Sequence, residues 1–298
     1  MKNIKILVTG ANGYLGQNLC QFLTACGYRI FGLVRPGSDG LFVEQDGIQI
    51  IQTDYSRTGL LDLLQSVSPN VVIHTAAALP GKSIDELFKV NLELPINLLH
   101  AMVANKCRYL VNTGSYSECV EDSNTYLPQN FYASSKRAFQ DLIAGIAKEY
   151  DLQAISLRLH NVYGPGDQRP KIINLLSKAV DHKAPLDTSP GHQVLDFVHV
   201  LDVCRAYEKA VLALLHGKVK GHVAFEVGSG KGVTIRELAS LISQALSIPL
   251  YIRWGGRSYA PGEVMHRVAD LKPIVDALGW NPEIEVQTGL SDILGKRV

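Results

Sequence analysis

Charge of one sign is scarce in this sequence. Lys and Arg number 29 against 28 Asp and Glu, a net of +1, which gives no electrostatic case for a nucleic-acid or anionic-membrane partner. Cysteine is sparse too: five residues, at 20, 26, 107, 119 and 204, with no CxxC spacing. An odd, scattered set excludes a disulfide framework and reads as reduced thiols of a cytoplasmic protein. The nine histidines form no HxxxH or HExxH pattern, so no metal site is expected. No apolar run approaches the ~20 residues that span a bilayer. The opening Met1-Lys2-Asn3-Ile4-Lys5 runs into a strand-like segment and fits no signal peptide. No internal repeat is visible.

What is present is a chain of 298 residues, 46% hydrophobic and 19% charged, the balance of a soluble globular protein with a sizeable core. Through the first two-thirds, short apolar runs alternate with amphipathic stretches. Strands are predicted at 4–9, 29–34, 48–54, 71–74, 109–112 and 154–159, and helices at 15–26, 60–67, 92–105 and 131–150. That rhythm is the signature of an α/β fold with a doubly wound parallel sheet of the Rossmann kind. Beyond Asn161 it changes. Gly164-Pro165-Gly166 and Pro170 mark a loop, followed by a helix at 172–180 and an extended run at 194–200. Helices at 201–215, 234–246 and 272–278 and strands at 223–227 and 250–254 complete the chain. The expectation is a dinucleotide-binding core at 1–163, to which 193–217 returns, and a smaller discontinuous substrate lobe from 164–192 and 218–298.

The first strand ends in Thr9-Gly10-Ala11-Asn12-Gly13-Tyr14-Leu15-Gly16, where the first helix begins. Gly10 would permit the tight turn, Gly13 the backbone's approach to a pyrophosphate, and Gly16 close packing of helix on sheet. The helix N-terminus would present free N–H groups to phosphate. A glycine trio between a strand and a helix is the context that gives the pattern its meaning; the alternative is a glycine-rich turn with no ligand. The second strand ends at Leu33-Val34-Arg35, without the carboxylate that would hold the ribose hydroxyls of NAD. Arginine suits the extra phosphate of NADP, so NADP(H) is favoured over NAD(H), with a solvated surface charge as the competing reading of Arg35. Asp54 is placed to meet the adenine edge or to cap its own loop.

Tyr132-Ala133-Ser134-Ser135-Lys136 opens a helix. Residues four apart share a face, so a phenol and an ammonium reach one site. A tyrosine with a pKa of about 10 transfers protons poorly at neutral pH, and a neighbouring lysine charge lowers that value. Just upstream, Asn112-Thr113-Gly114-Ser115 closes the fifth strand. The Ser115 hydroxyl could orient a carbonyl oxygen; Thr113 is the rival for that role, and an ordinary strand-end turn is the structural alternative.

Together, TGxxGxxG at 9–16, the strand-end serine and YxxxK at 132–136 resemble the extended short-chain dehydrogenase/reductases, the NAD-dependent epimerase/dehydratase family. His74-Thr75-Ala76-Ala77 is similar to the family's cofactor-lining loop, Asn91 to an asparagine in the following helix, and 158–166 to the segment that enters the substrate lobe. Phe197-Val198-His199 and Gly228-Ser229-Gly230 match later family landmarks. The resemblance implies catalysis by Tyr132, Lys136 and Ser115. It implies a cofactor held by Gly10, Asn12, Gly13, Tyr14, Leu15, Gly16, Arg35, Asp54, Tyr55, Ala76, Ala77, Asn91 and Lys136, and a nucleotide-linked sugar as substrate. The Asp-Glu pair of sugar 4,6-dehydratases is missing, since Tyr116-Ser117 follows Ser115. The cysteine–histidine pair of epimerase-reductases is incomplete as well. The loop reads Gly164-Pro165-Gly166-Asp167, which leaves Cys119 an ordinary small residue.

What remains is C4 chemistry, and the wording around Ser115, Arg169 and His192 resembles 4-ketoreductases of CDP- or dTDP-linked deoxysugars. The alternatives are an NAD-retaining 4-epimerase, a reductase of a non-nucleotide carbonyl compound, and a non-catalytic dinucleotide sensor. Asn161, Arg169 and Lys171 leave the sixth strand where open α/β sheets bind ligands, and with His192 they form the expected substrate set. For each basic residue a solvated surface role competes. A homodimer is expected from the resemblance, through the helices at 92–105 and 131–150.

Overall fold

The computed structural model describes residues 3–38, 47–118, 128–180 and 185–294; Cys119 lies outside them. The chain forms two compact units. The first contains Met1–Leu159, Cys204–Phe225 and Ala277–Trp280. The second contains His160–Val203, Glu226–Asp276 and Asn281–Val298.

In the first unit the chain runs β1 (Lys5–Thr9), α1 (Tyr14–Ala25), β2 (Arg29–Val34), β3 (Ile48–Gln52), α2 (Arg57–Val67) and β4 (Val71–His74). It continues through α3 (Ile84–Phe88), a π-helical turn (Lys89–Glu93), α4 (Leu94–Ala104), β5 (Tyr109–Ser115), α5 (Phe131–Glu149) and β6 (Gln153–Leu159). The later elements are β7 (Asn161–Tyr163), α6 (Ile172–Ser177), β8 (Leu186–Thr188), β9 (Val194–His199), α7 (Val200–Leu215) and β10 (His222–Val227). Then come β11 (Gly232–Thr234), α8 (Ile235–Leu246), β12 (Ile252–Trp254), β13 (His266–Arg267), α9 (Lys272–Leu278) and α10 (Val286–Leu294).

Among the described residues, seven strands form one sheet in the order β10-β6-β5-β4-β1-β2-β3. The β1–β2, β1–β4, β2–β3, β4–β5 and β5–β6 pairings are parallel. Ile6, Leu7 and Val8 of β1 and Val71, Val72 and Ile73 of β4 are fully buried, as a parallel sheet covered on both faces requires. The order reverses between β1 and β4. Ligands of open α/β sheets bind beyond the strand ends at such a switch point, and here those ends are Thr9 and His74, which lie side by side in register.

The second unit is organised around β9, which pairs parallel with β7 and β13 and antiparallel with β11. Its core joins Leu176, Phe197, Leu238, Ile242, Leu290 and Leu294. Buried Asp196 accepts hydrogen bonds from the Ser229, Gly230 and Ala269 amides at 2.6, 2.9 and 3.1 Å. No side chain fits at Gly228, where a Cβ would lie 2.4 Å from an Asp196 oxygen.

Two expectations about organisation change. Residues 194–199 were expected to return to the core; their strand pairs with β7, β11 and β13 and belongs to the second unit. Residues 218–225 were expected in the lobe, but β10 extends the large sheet beside β6. Strand β5 also runs on through Ser115, three residues further than its apolar run, because its pairing with β6 persists to Leu159.

Candidate active site

The phosphate loop is shaped by sterics. Gly10 has a φ of +67°, and a Cβ there would lie 2.7 Å from the Ala76 Cα. At Gly16 a Cβ would stand 2.2 Å from the Gly10 carbonyl oxygen. Both positions therefore exclude side chains, whereas a Cβ at Gly13 would meet the Gly10 oxygen at 3.3 Å. Helix α1 begins with neither a side-chain cap at Gly13 nor an acidic residue in its first turn. The first amides of α2, α3, α5 and α8 are instead taken by Ser56, Ser83, Asn130 and Thr234. Uncapped amides at a glycine turn suit an anion, so this loop fits a dinucleotide pyrophosphate. Asn12, Tyr14 and Leu15 are half-buried around it, and the Asn12 carbonyl is held by the Gln17 amide at 2.9 Å.

Arg35, Asp54 and Tyr55 line one cleft of the first unit, with Pro36 and, from the helical side, Lys89, Glu93 and Asn97. The Arg35 guanidinium makes no ion pair among the described residues, and the side chain is exposed. Asp54 accepts from the Ser56 amide at 2.8 Å, which holds its carboxyl below the ordinary aspartate value; it caps its own loop while lining the cleft. The Tyr55 hydroxyl donates to the Leu33 carbonyl at 2.9 Å and accepts from the Gly10 amide at 3.3 Å. Burial pushes this phenol up to about 12, so it braces the phosphate loop against β2.

Asn91 ties two segments of the first unit together. It sits in the π-helical turn, and its amide accepts from Ala78 N at 2.8 Å and donates to Ala78 O at 3.0 Å and Ser135 Oγ at 3.2 Å. Its polar atoms fasten the loop after β4 to α5. That loop carries Ala76 and Ala77, both half-buried, and the Ala76 amide donates to Thr9 Oγ1 at 3.3 Å.

Helix α5 starts sharply because Asn130 Oδ1 accepts from the Ala133 amide at 2.9 Å. Half-buried Tyr132 therefore stands in the first turn and buried Lys136 one turn further along the same face. Lys136 Nζ donates to the Thr113 carbonyl of β5 at 2.5 Å. Thr113 itself is committed: its hydroxyl donates to the His74 carbonyl at 2.6 Å and bonds Tyr207 Oη at 2.5 Å. Ser115 ends β5, with its Oγ 2.9 Å from Ser117 Oγ. Burial draws Lys136 below the ordinary lysine value, with Glu118 opposing that shift. Burial, helped by Lys136, drives His74 down to about 3 and keeps its ring neutral.

Sequence reading missed Ser117 and Glu118. The serine carries an S-x-S spacing that the strand's true length would have exposed. The glutamate gives no signal in the sequence, because an acidic residue after a strand reads as solvated.

In the second unit, Asn161 donates to the Asp196 carbonyl at 2.9 Å. Arg169, expected to meet phosphate, forms a two-pronged ion pair with Asp167, 2.7 Å on each arm. Lys171 and Asn161 line a mostly apolar cavity of about 240 Å³ with Asp167, Ile173, Leu195 and Phe197. Burial, with Arg169 nearby, lowers Lys171 to about 8. His192 is exposed, its amide donating to Tyr259 Oη at 3.3 Å. Among the described residues no group of three or more His, Cys, Asp and Glu could hold a metal ion, and no helix is long and apolar enough to cross a membrane.

Comparison with known proteins agrees with this geometry. The family model described as NAD dependent epimerase/dehydratase family matches residues 6–228. The chain is 30% identical to CDP-abequose synthase of Salmonella muenchen, over 99% of this chain and 98% of that protein. It is 26% identical to UDP-glucose 4-epimerase of Corynebacterium glutamicum, over 94% and 91%. The structure of UDP-glucose 4-epimerase from Thermus thermophilus in complex with NAD superposes with a TM-score of 0.81, at 26% identity and 98% coverage of both chains. A glycine loop shaped for pyrophosphate, a Tyr–Lys helix against β5 and these full-length similarities converge: the chain is an NAD(P)-dependent enzyme of the short-chain dehydrogenase/reductase type and belongs to the NAD-dependent epimerase/dehydratase family.

Proposed function

We propose that this enzyme uses NADPH to reduce the C4 keto group of a CDP- or dTDP-linked 4-keto-6-deoxysugar. The observation that carries reduction over epimerisation is Arg35. It stands exposed at the end of β2 in a cleft it shares with Asp54 and Tyr55, where no residue of β2 offers a carboxylate. A cationic fork there suits the 2′-phosphate of NADP, the form a reductase exchanges at each turnover. The substrate class rests on the full-length similarity to CDP-abequose synthase.

When bound, the nicotinamide supplies hydride to the carbonyl carbon. Tyr132 donates its phenolic proton to the carbonyl oxygen, and Lys136 makes that donation easier by stabilising phenolate. Ser115 Oγ hydrogen-bonds the same oxygen and orients it, backed by Ser117. The Gly10–Gly16 turn and the α1 amides hold the pyrophosphate. Lys171 and Asn161 offer a cation and an amide to the sugar nucleotide.

The test is absorbance of reduced nicotinamide with a panel of CDP-, dTDP- and GDP-linked 4-keto-6-deoxysugars. Net oxidation with one of them, faster with NADPH than NADH and lost in Tyr132→Phe, is the expected result. Failure across the panel would remove the assignment. The second reading, an NAD-retaining 4-epimerase, is favoured by the 26% identity to UDP-glucose 4-epimerases. It predicts tightly bound NAD in the purified protein and interconversion of C4 epimers without net oxidation.

We also propose a homodimer through α4 and α5, where Ile96 and Leu142 are 45% and 41% exposed. Light scattering of the wild type and an Ile96→Glu/Leu142→Glu variant would read a fall in mass from dimer to monomer.

A further inference from the structure

Glu118, three residues past the end of β5, is fully buried. Its Oε1 accepts the Ser115 amide hydrogen at 2.6 Å. Its Oε2 has no hydrogen-bond partner among the described residues and lies 3.7 Å from Arg158 Nε of β6. That guanidinium is itself anchored to Gln140 Oε1 of α5 at 3.0 Å. Space for the carboxylate exists because residue 114 is glycine: a Cβ there would lie 2.9 Å from Glu118 Oε1 and 3.1 Å from Arg158 Cγ. A buried carboxylate is costly unless it is matched by opposite charge. Arg158 alone, beyond hydrogen-bond reach, matches it poorly.

Glu118 Oε1 and Lys136 Nζ thus take the Ser115 amide and the Thr113 carbonyl, two groups of β5 two residues apart. We infer that Glu118 is a positioning residue of the Tyr132–Lys136 site, fixing the Ser115 end of β5 and serving as counter-charge to Lys136. The electrostatics agree with the geometry. Burial raises Glu118, and Lys136 leads the opposing influences, ahead of the Ser115 amide, Arg158 and Arg137. Burial lowers Lys136, and Glu118 is the influence that opposes it. Among the described residues, the other titratable or charged groups around this pair are His74 from β4, Arg158 from β6, and Tyr132 and Arg137 from α5 itself. With His74 neutral, Glu118 is the carboxylate among the described residues whose charge favours protonated Lys136. A charged Lys136 keeps the Tyr132 phenol acidic enough to give up its proton, so Glu118 acts through Lys136 without touching the carbonyl compound.

This inference rests on the Tyr132–Lys136 reading but not on any substrate, so its test uses the cofactor-free protein. Lysines labelled with carbon-13 at Cε are titrated by NMR in wild type and Glu118→Gln, with the Lys136 signal assigned from Lys136→Arg. Glutamine retains an acceptor for the Ser115 amide and removes only the charge. The expected result is a Lys136 midpoint at least one pH unit lower, a tenfold loss of proton affinity. Glu118→Asp should recover most of the shift. An unmoved midpoint in a folded Glu118→Gln protein would overturn the proposal. Should that variant fail to fold, the reciprocal measurement decides. Lys136→Met must raise the Glu118 carboxyl midpoint by at least one unit, read by carbon-13 NMR, and an unchanged value would overturn it. Loss of 4-ketoreductase activity against every substrate, with this coupling intact, would remove the proposed reaction and leave the Glu118–Lys136 pairing standing.

Discussion

The Tyr132–Lys136 face of the first unit and the 167–171 loop of the second treat their cations in opposite ways. Lys136 is buried against a main-chain carbonyl, with a buried carboxylate nearby. Arg169 is neutralised by an aspartate two residues away in its own loop, and Arg253 is likewise paired with Asp187. A basic residue in a ligand-facing segment therefore says little about binding until its partners are known. What distinguishes a working cation is the way its neighbours spend their hydrogen bonds. Thr113 gives its hydroxyl to His74 and Tyr207, and its carbonyl accepts from Lys136.

That contrast orders the mutational expectations. Tyr132→Phe should lower kcat by roughly 10²–10⁴, the usual value of a positioned general acid, while NADPH binding measured by fluorescence is retained. Wild-type turnover in this variant would break the comparison outright. Gly16→Ala forces a methyl against the Gly10 carbonyl. It should cost roughly 1–3 kcal/mol of stability by overpacking, with weakened dinucleotide affinity, as denaturant unfolding and NADPH titration would read. Arg35→Ala should cut the NADPH-over-NADH preference by about 10- to 100-fold, the worth of a charge-assisted hydrogen bond or two. An unchanged ratio would return Arg35 to the solvated surface.

In the second unit the effects are smaller. Arg169→Ala should change KM by less than about threefold, as for other partly exposed ion pairs, whereas Lys171→Met should raise it about tenfold. A reversed ranking would mean that Asp167 releases Arg169 when substrate arrives. Lys171 also predicts a pH signature. It titrates at about 8 in the folded protein against 10.5 ordinarily. Between those values the unfolded chain binds more protons at this position, so stability rises with pH across that window. Urea unfolding of wild type should show this gain relative to Lys171→Met, and the difference should be flat below pH 8.

How much of this was legible in the sequence follows the same division. The strand–glycine–helix entry, the parallel strands and the YxxxK face are local patterns, set by sterics and periodicity within about a dozen residues. They could be read directly. Strands β7, β8, β11 and β13 are two or three residues long, too short for any period, and they exist through pairing with distant partners. Helix α10 did carry a signal, with Val286, Leu290 and Leu294 four apart on one face, but it lay in a short polar tail. The roles of Tyr55, Asn91 and Arg169 turned on where a side chain's hydrogen bonds go, and that depends on neighbours 22, 44 or 2 positions away. Glu118 shows the same limit: only the room left at Gly114 admits a carboxylate under the strand end.

The most direct test of the account uses NADPH carrying deuterium at the transferable position, mixed with the purified enzyme and the CDP- or dTDP-linked 4-keto-6-deoxysugar it turns over fastest. One deuterium should appear at C4 of the product sugar for each NADPH oxidised, at a rate that falls by roughly 10²–10⁴ in Tyr132→Phe. An unreduced keto sugar and no loss of NADPH, with protein that holds NAD interconverting the 4-hydroxy epimers instead, would contradict the account and establish epimerisation.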